Sequence, residues 1–171
     1  MANTHVAIST VTVGSGGTAN ITFSSIPATY TDLLIKVSAR GTTSAKYDYL
    51  FMQLNGASTN YSGKILYVDN ASAGSTNNSS SSYLNPGIVD MTTSTVSTFS
   101  STDIYISNYA GSNYKSISGD AVSEDNTNYA ALYSMAQLWS NTAAITSIVF
   151  TTPSGSFAQY STATLYGIKN S

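Results

Sequence analysis

The sequence predicts an all-β protein: a single antiparallel β-sandwich, jelly-roll-like, with about ten short strands over residues 1–171 as one domain. Three observations predict it. Apolar residues alternate with polar ones in short runs, the period of a strand with one buried face. The chain holds 13 Tyr, 5 Phe, 1 Trp and 12 Ile, all favoured on pleated surfaces. Turn signals separate the runs at the intervals typical of sandwiches and barrels.

The first run, THVAIST (4–10), alternates Val6 and Ile8 with Ala and Thr; Val11 and Val13 continue it after a shift in phase. GSGG (14–17) is a turn, because adjacent glycines reach positive φ cheaply. TANITFSSI (18–26) puts Ala19, Ile21 and Phe23 on one face, and Pro27, which cannot donate to a ladder, ends it. DLLIKVSAR (32–40) sets Leu33, Ile35, Val37 and Ala39 against Lys36, Ser38 and Arg40. YDYLFMQLNG (47–56) is apolar on both faces, with Leu50, Met52 and Leu54 opposing Tyr47, Tyr49 and Phe51. Such a strand must be covered on both sides, by the chain or by a partner. Asn55-Gly56 then turns the chain.

A short strand, KILYV (64–68), precedes NASAGSTNNSSSS (70–82), which has no apolar residue larger than Ala and reads as a long, exposed, flexible loop. Strands follow at 87–91, 102–110 and 114–122, with a hairpin turn around Gly111. NYAALYSMAQLW (128–139) contains helix formers, yet Tyr129, Ala131, Tyr133, Met135, Gln137 and Trp139 alternate strictly, which favours a strand. A single turn is expected at 140–145, and the last strands at 146–152 and 160–169. The predicted core is Ile21, Phe23, Leu33, Ile35, Val37, Leu54, Ile104, Ile106, Leu138, Ile148, Phe150, Leu165 and Ile168, with Trp139 among them and its N–H bonded to backbone.

Composition excludes several functions. Charged residues are 8% of the chain, against roughly 25% in ordinary soluble domains. Ser, Thr and Asn, together 67 of 171 residues, take their place. Six scattered Lys and Arg residues cannot build the basic stripe that nucleic acid or an anionic membrane surface requires. No apolar run approaches the roughly 20 residues of a spanning helix. MANTHVAIST has no basic region followed by an apolar block, so no secretory signal is expected there. With no cysteine, there are no disulfides, thiolate metal sites or thiol nucleophiles.

Candidate chemistry is sparse, and the chain is not expected to be an enzyme. His5 stands alone, with no orienting partner nearby in sequence. No G-x-S-x-G elbow occurs, and 14–17 lacks the lysine of a phosphate loop. Asp120, Glu124 and Asp125, with Asn126 and Asn128, offer oxygen ligands but lack the spacing of a calcium loop, so a solvated loop is expected. Asp48, Asp69, Asp90 and Asp103 fall singly, as turn or solubility residues. Five Asn-x-Ser/Thr sequons follow from composition alone. No metal or cofactor is expected. The tyrosines, set among Ser, Asn and Gly, have the composition of a binding surface and suit either a protein interface or a sugar site.

Several strings carry a resemblance: FSSIPATYTDLLIKVSAR (23–40), NYSGKILY (60–67), IYISNYAGSNYKSIS (104–118), LWSNTAAITSIVF (138–150) and YSTATLYGIK (160–169). Together they resemble small β-sandwich virion proteins of tailed bacteriophages, of the cyanophage and marine phage type. The resemblance implies a structural role without catalysis. Such proteins decorate capsids as cement proteins or occur as domains of fibres. The chain has its own Met1 and ends two residues after its last strand, which fits a free-standing decoration protein. The implied partner is the assembled major capsid protein, bound on the outer capsid surface after synthesis in the host cytoplasm, with trimeric or dimeric self-association. Segment 1–13 and strand 47–54 are the candidate contact surfaces, through Val6, Ile8, Tyr47, Tyr49 and Phe51, with loop 70–82 pointing outward. The alternative is a tail or head fibre domain, or receptor-binding domain, that recognises host surface glycan. A secreted carbohydrate-binding module ranks third, and an enzyme last.

Overall fold

Twelve strands and no helix form among the residues that the computed structural model describes, 4–127 and 129–169. In chain order they are β1 (His5–Thr12), β2 (Ile21–Phe23), β3 (Asp32–Ala39), β4 (Tyr47–Leu54), β5 (Tyr61–Asp69), β6 (Ser72–Ser81), β7 (Leu84–Asp90), β8 (Ser100–Ile106), β9 (Lys115–Glu124), β10 (Ala130–Trp139), β11 (Ile148–Thr151) and β12 (Thr162–Ile168). They pair antiparallel in two sheets. The larger runs β1-β12-β3-β8-β9-β10-β5-β6 and the smaller β2-β11-β4-β7. This is the all-β sandwich that the alternation predicts.

Strands β8, β9 and β10 keep the two-residue period almost without fault. Ile104, Ile106, Ile117, Ala121, Tyr133 and Met135 are buried, and their outward neighbours are mostly exposed. The segment that balanced helix against strand is therefore a strand. Pairing with β9 on one edge and β5 on the other overrides the helix propensity of its Ala, Leu and Met.

The small sheet lies over the large one. Between them Phe23, Leu33, Ile35, Leu50, Met52, Phe150 and Leu165 form the main core with Trp139. Strand β7 is buried at every position and packs chiefly on β9 and β8, less on β10 and β5. A second, smaller cluster joins Ile88 of β7 to Ile65, Ala121, Tyr133 and Met135 of the large sheet, with Tyr47, Tyr67 and Tyr129 packed against it.

Turn chemistry behaves as read. Gly16 and Gly17 take φ of 92° and 74°, and Asn55 and Gly56 take 52° and 67°, the left-handed pair that a tight turn needs. The phase shift in β1 is a bulge: Ala7 pairs with Tyr166 and Ser9 with Leu165, leaving Ile8 as the extra residue.

Four expectations are corrected. Segment 70–82 is not a loop. Asn70, at φ 52°, and Ala71 turn a hairpin, and β6 then pairs along nearly the whole of β5. Backbone pairing needs no apolar side chain, and the outermost strand of a sheet can be polar throughout. Leu138 and Ile168 are half-buried, because their strands turn Trp139 and Leu165 inward instead. Trp139 is core, at 1% exposure, but its indole N–H has no hydrogen-bond partner among the described residues. Segment 140–145 forms no regular turn; the Asn55 side chain pins its end and the residues that follow, donating to Ala144 O and accepting from Thr146 N and Ser147 N.

Candidate functional site

The sequence-derived contact residues fall in two separate places. Val6 and Ile8 lie half-buried on β1, one edge of the large sheet. Residues 1–3 of that candidate segment lie outside the described residues. Tyr47, Tyr49 and Phe51 lie on β4 in the small sheet, and the chain itself covers much of them. Phe51 stacks on Tyr83 at 3.6 Å between ring centroids, and Tyr47 stacks on Tyr129 at 5.4 Å. Tyr49 is 39% exposed.

The outward face of the large sheet carries the main exposed apolar surface. Val122 of β9, Leu132 of β10 and Val68 of β5 are direct cross-strand partners. They are 44%, 54% and 41% exposed, and Leu66, one step along β5, is 58% exposed. Cross-strand neighbours sit about 5 Å apart, so the three make one continuous apolar bar across three strands. Further along the same face lies a shallow depression of about 610 Å³, floored by Ser116, Ser118, Ala136 and Leu138 and flanked by Tyr105 and Lys64. Sequence reading missed this face. Ala130, Leu132, Ser134, Ala136 and Leu138 form the second face of an alternating strand, and only the register with β5 and β9 shows that its apolar members line up.

A smaller cleft of about 260 Å³ opens between β4 and the β5–β6 hairpin. Tyr47, Tyr49, Tyr67, Tyr133, Asp69 and Thr76 line it over Ile65. Tyr133 Oη donates to Tyr47 Oη at 3.3 Å, and Tyr47 Oη donates to Asp69 at 2.5 Å. Burial and the bond to Asp69 push the Tyr47 phenol far above its ordinary value, and burial raises Tyr133. Both stay neutral hydroxyls at any physiological pH.

Several charged groups serve structure. Arg40 donates to the carbonyls of Ser94, Thr95 and Thr98, holding the 94–98 loop. Lys46 pairs with Asp125, whose side chain is wholly buried. Lys115 is buried and donates to the carbonyls of Gly111 and Asn113, and burial lowers its pKa. Asp90 is buried on β7, accepting from Ser123; burial raises its pKa.

The acidic cluster does not converge. Asp120 and Glu124 are exposed, whereas Asp125 turns inward to Lys46; Asn128 lies outside the described residues. Among the described residues no group of three His, Asp or Glu side chains could hold a metal ion. His5 is exposed, and its Nδ1 lies 3.3 Å from the hydroxyl of the adjacent Thr4. Asp103 pairs with Lys36 at 2.6 Å in the open, and Asp48 bonds the adjacent Tyr49 amide.

No family model and no curated protein matches this chain. Among solved structures, galectin LEC-6 from Caenorhabditis elegans is similar over 94% of this chain and 96% of that one, at 5% identity and a TM-score of 0.32. A fructofuranosidase from Schwanniomyces occidentalis complexed with fructosylnystose is similar over 97% of this chain and 33% of that one, at 8% identity and a TM-score of 0.22. Likenesses this distant carry no argument about function.

Proposed function

We propose that this chain is a non-enzymatic virion structural protein, a capsid decoration (cement) protein that binds the assembled major-capsid lattice and stabilises it. The resemblance of its strand strings supplies the class. The apolar bar Val68–Leu132–Val122, extended by Leu66, supplies the contact. Four large apolar side chains exposed together on one sheet face, three of them in register, are unusual for a chain otherwise surfaced with Ser, Thr and Asn. A β-face whose strands are each paired on both sides is also well suited to a repeating surface, since ordering it on binding costs little conformational entropy.

Docking removes that bar from water. Covering the exposed parts of four such residues is worth on the order of 1 kcal/mol each, before the cost of association. A single contact of that size is weak. Self-association into a dimer or trimer multiplies it, because the second contact forms at high effective concentration. The gain is added to the lattice and opposes the outward pressure of packaged genome.

The test is co-sedimentation of the purified protein with capsids that lack it, followed by imaging. Stoichiometric, ordered density between capsid subunits is expected. Leu132→Asp puts a charge at the centre of the bar on an exposed position, so it should keep the fold and lose binding by at least tenfold. Binding confined to the tail or one vertex, or binding indifferent to Leu132→Asp, would overturn the reading.

A further inference from the structure

We propose that the cleft between β4 and the β5–β6 hairpin binds a single neutral sugar ring. The site is independent of lattice docking. Strand β5 turns Leu66 and Val68 to the outer face and Ile65, Tyr67 and Asp69 into the cleft, so both surfaces can be occupied at once.

The geometry is built from three strands of the large sheet and one of the small. Tyr67 and Tyr133 are register partners on β5 and β10, and their rings stack at 5.6 Å and 22°. Tyr67 also lies across Gly74 of β6. A Cβ at that glycine would stand 2.6 Å from the Tyr67 hydroxyl oxygen, so the absent side chain gives the ring its place. Tyr47 and Tyr49 close the cleft from β4, and Thr76 adds a hydroxyl from β6.

Size and chemistry select the ligand. A cleft of about 260 Å³ is smaller than the roughly 300–1,000 Å³ of sites for drug-sized molecules, so it takes one ring and not an oligosaccharide. Its lining is mostly polar: tyrosine and threonine hydroxyls with one carboxylate. Hydroxyls that can both donate and accept match the donors and acceptors of a sugar. Asp69 adds the stronger, charge-assisted acceptor for a sugar hydroxyl. No Lys, Arg or His lines the cleft, so an anionic ligand would meet only Asp69 and be repelled. A quaternary ammonium needs open ring faces, whereas here Tyr67 stacks on Tyr133 and Tyr47 on Tyr129.

The test titrates the full chain with methyl α-glucopyranoside, methyl β-galactopyranoside, N-acetylglucosamine and fucose. The readouts are saturation-transfer NMR and tyrosine difference absorbance. At least one sugar should bind saturably, in the millimolar range expected of a single ring. Tyr49→Ala and Asp69→Asn should each weaken it by about tenfold, the loss of one good polar contact. Gly74→Ala changes no lining residue but displaces the Tyr67 hydroxyl end, and should weaken binding too. Circular dichroism and melting verify folding; Tyr49 is exposed enough that its removal leaves the core intact. Failure of all four sugars to bind, sugar binding unchanged in the folded variants, or choline binding in preference to every sugar would each overturn the proposal.

Discussion

Trp139 is the largest side chain buried in the main core, at 1% exposure, stacked on Tyr61 at 6.2 Å. The Tyr61 hydroxyl is committed to the Leu54 backbone, accepting from its N–H at 2.9 Å. Truncating Trp139 to Ala leaves a cavity in the core between the two sheets, which should destabilise the fold by about 3–5 kcal/mol in denaturant unfolding. Asp90 makes a second prediction, with a defined sign. Its carboxyl is buried, Oδ2 has no partner among the described residues, and its pKa is raised by burial against the pull of Ser123 and Arg40. The folded protein therefore holds this proton to higher pH than the unfolded chain, which releases it near the ordinary value of about 4. Stability is fully present below that value and falls as pH rises through the raised one. Asp125 runs the other way: Lys46 and Thr127 lower its pKa, so its contribution is lost only as pH falls below the ordinary value. Asp90→Asn keeps an acceptor for Ser123 and removes the charge. The variant should lack the decline above about pH 4 that Asp90 gives the wild type, as read by denaturant midpoints across pH. A lone Asp at the end of a strand gives no sequence sign of this burial; it follows from the small sheet laying β7 against β8 and β9.

Strand β6 shows why a polar run need not be a loop. Its side chains are uncharged and small, and it ends the sheet, so one row of its amides bonds to β5 while the other faces away. It lacks the Pro and Lys that usually guard an edge. Hydrogen exchange should show its β5-bonded amides protected above the level of a disordered loop, yet exchanging faster than those of β10, which is flanked on both sides. Random-coil exchange across 72–81 would restore the loop reading. The alternation in β3, β8, β9 and β10, the Asn55-Gly56 turn and the glycine turn at 14–17 all fold as their local chemistry dictates.

For the molecule as a whole, low charge is the governing property. Only two ion pairs form among the described residues, and one of them is exposed on both sides. The proposed lattice docking through the outer apolar bar should therefore change only a few-fold between low and high salt, because there is little charge for salt to screen. A steep fall in co-sedimentation across that range would place the contact elsewhere.

Sequence alone determined the class of fold, most of the strands and most of the core. These depend on the two-residue period and on turn residues, which are local properties of the chain. Leu138, Ile168 and β6 escaped it, because apolar character does not reveal which face a sheet buries or whether a polar run finds a neighbour. The outer bar and the tyrosine cleft were decided by tertiary structure. Tyr67 meets Tyr133 across 66 positions of chain, and Val122, Leu132 and Val68 align, only through the register of β5, β10 and β9. Register is a relation between distant strands, fixed by which faces are buried together, and no single strand's sequence contains it.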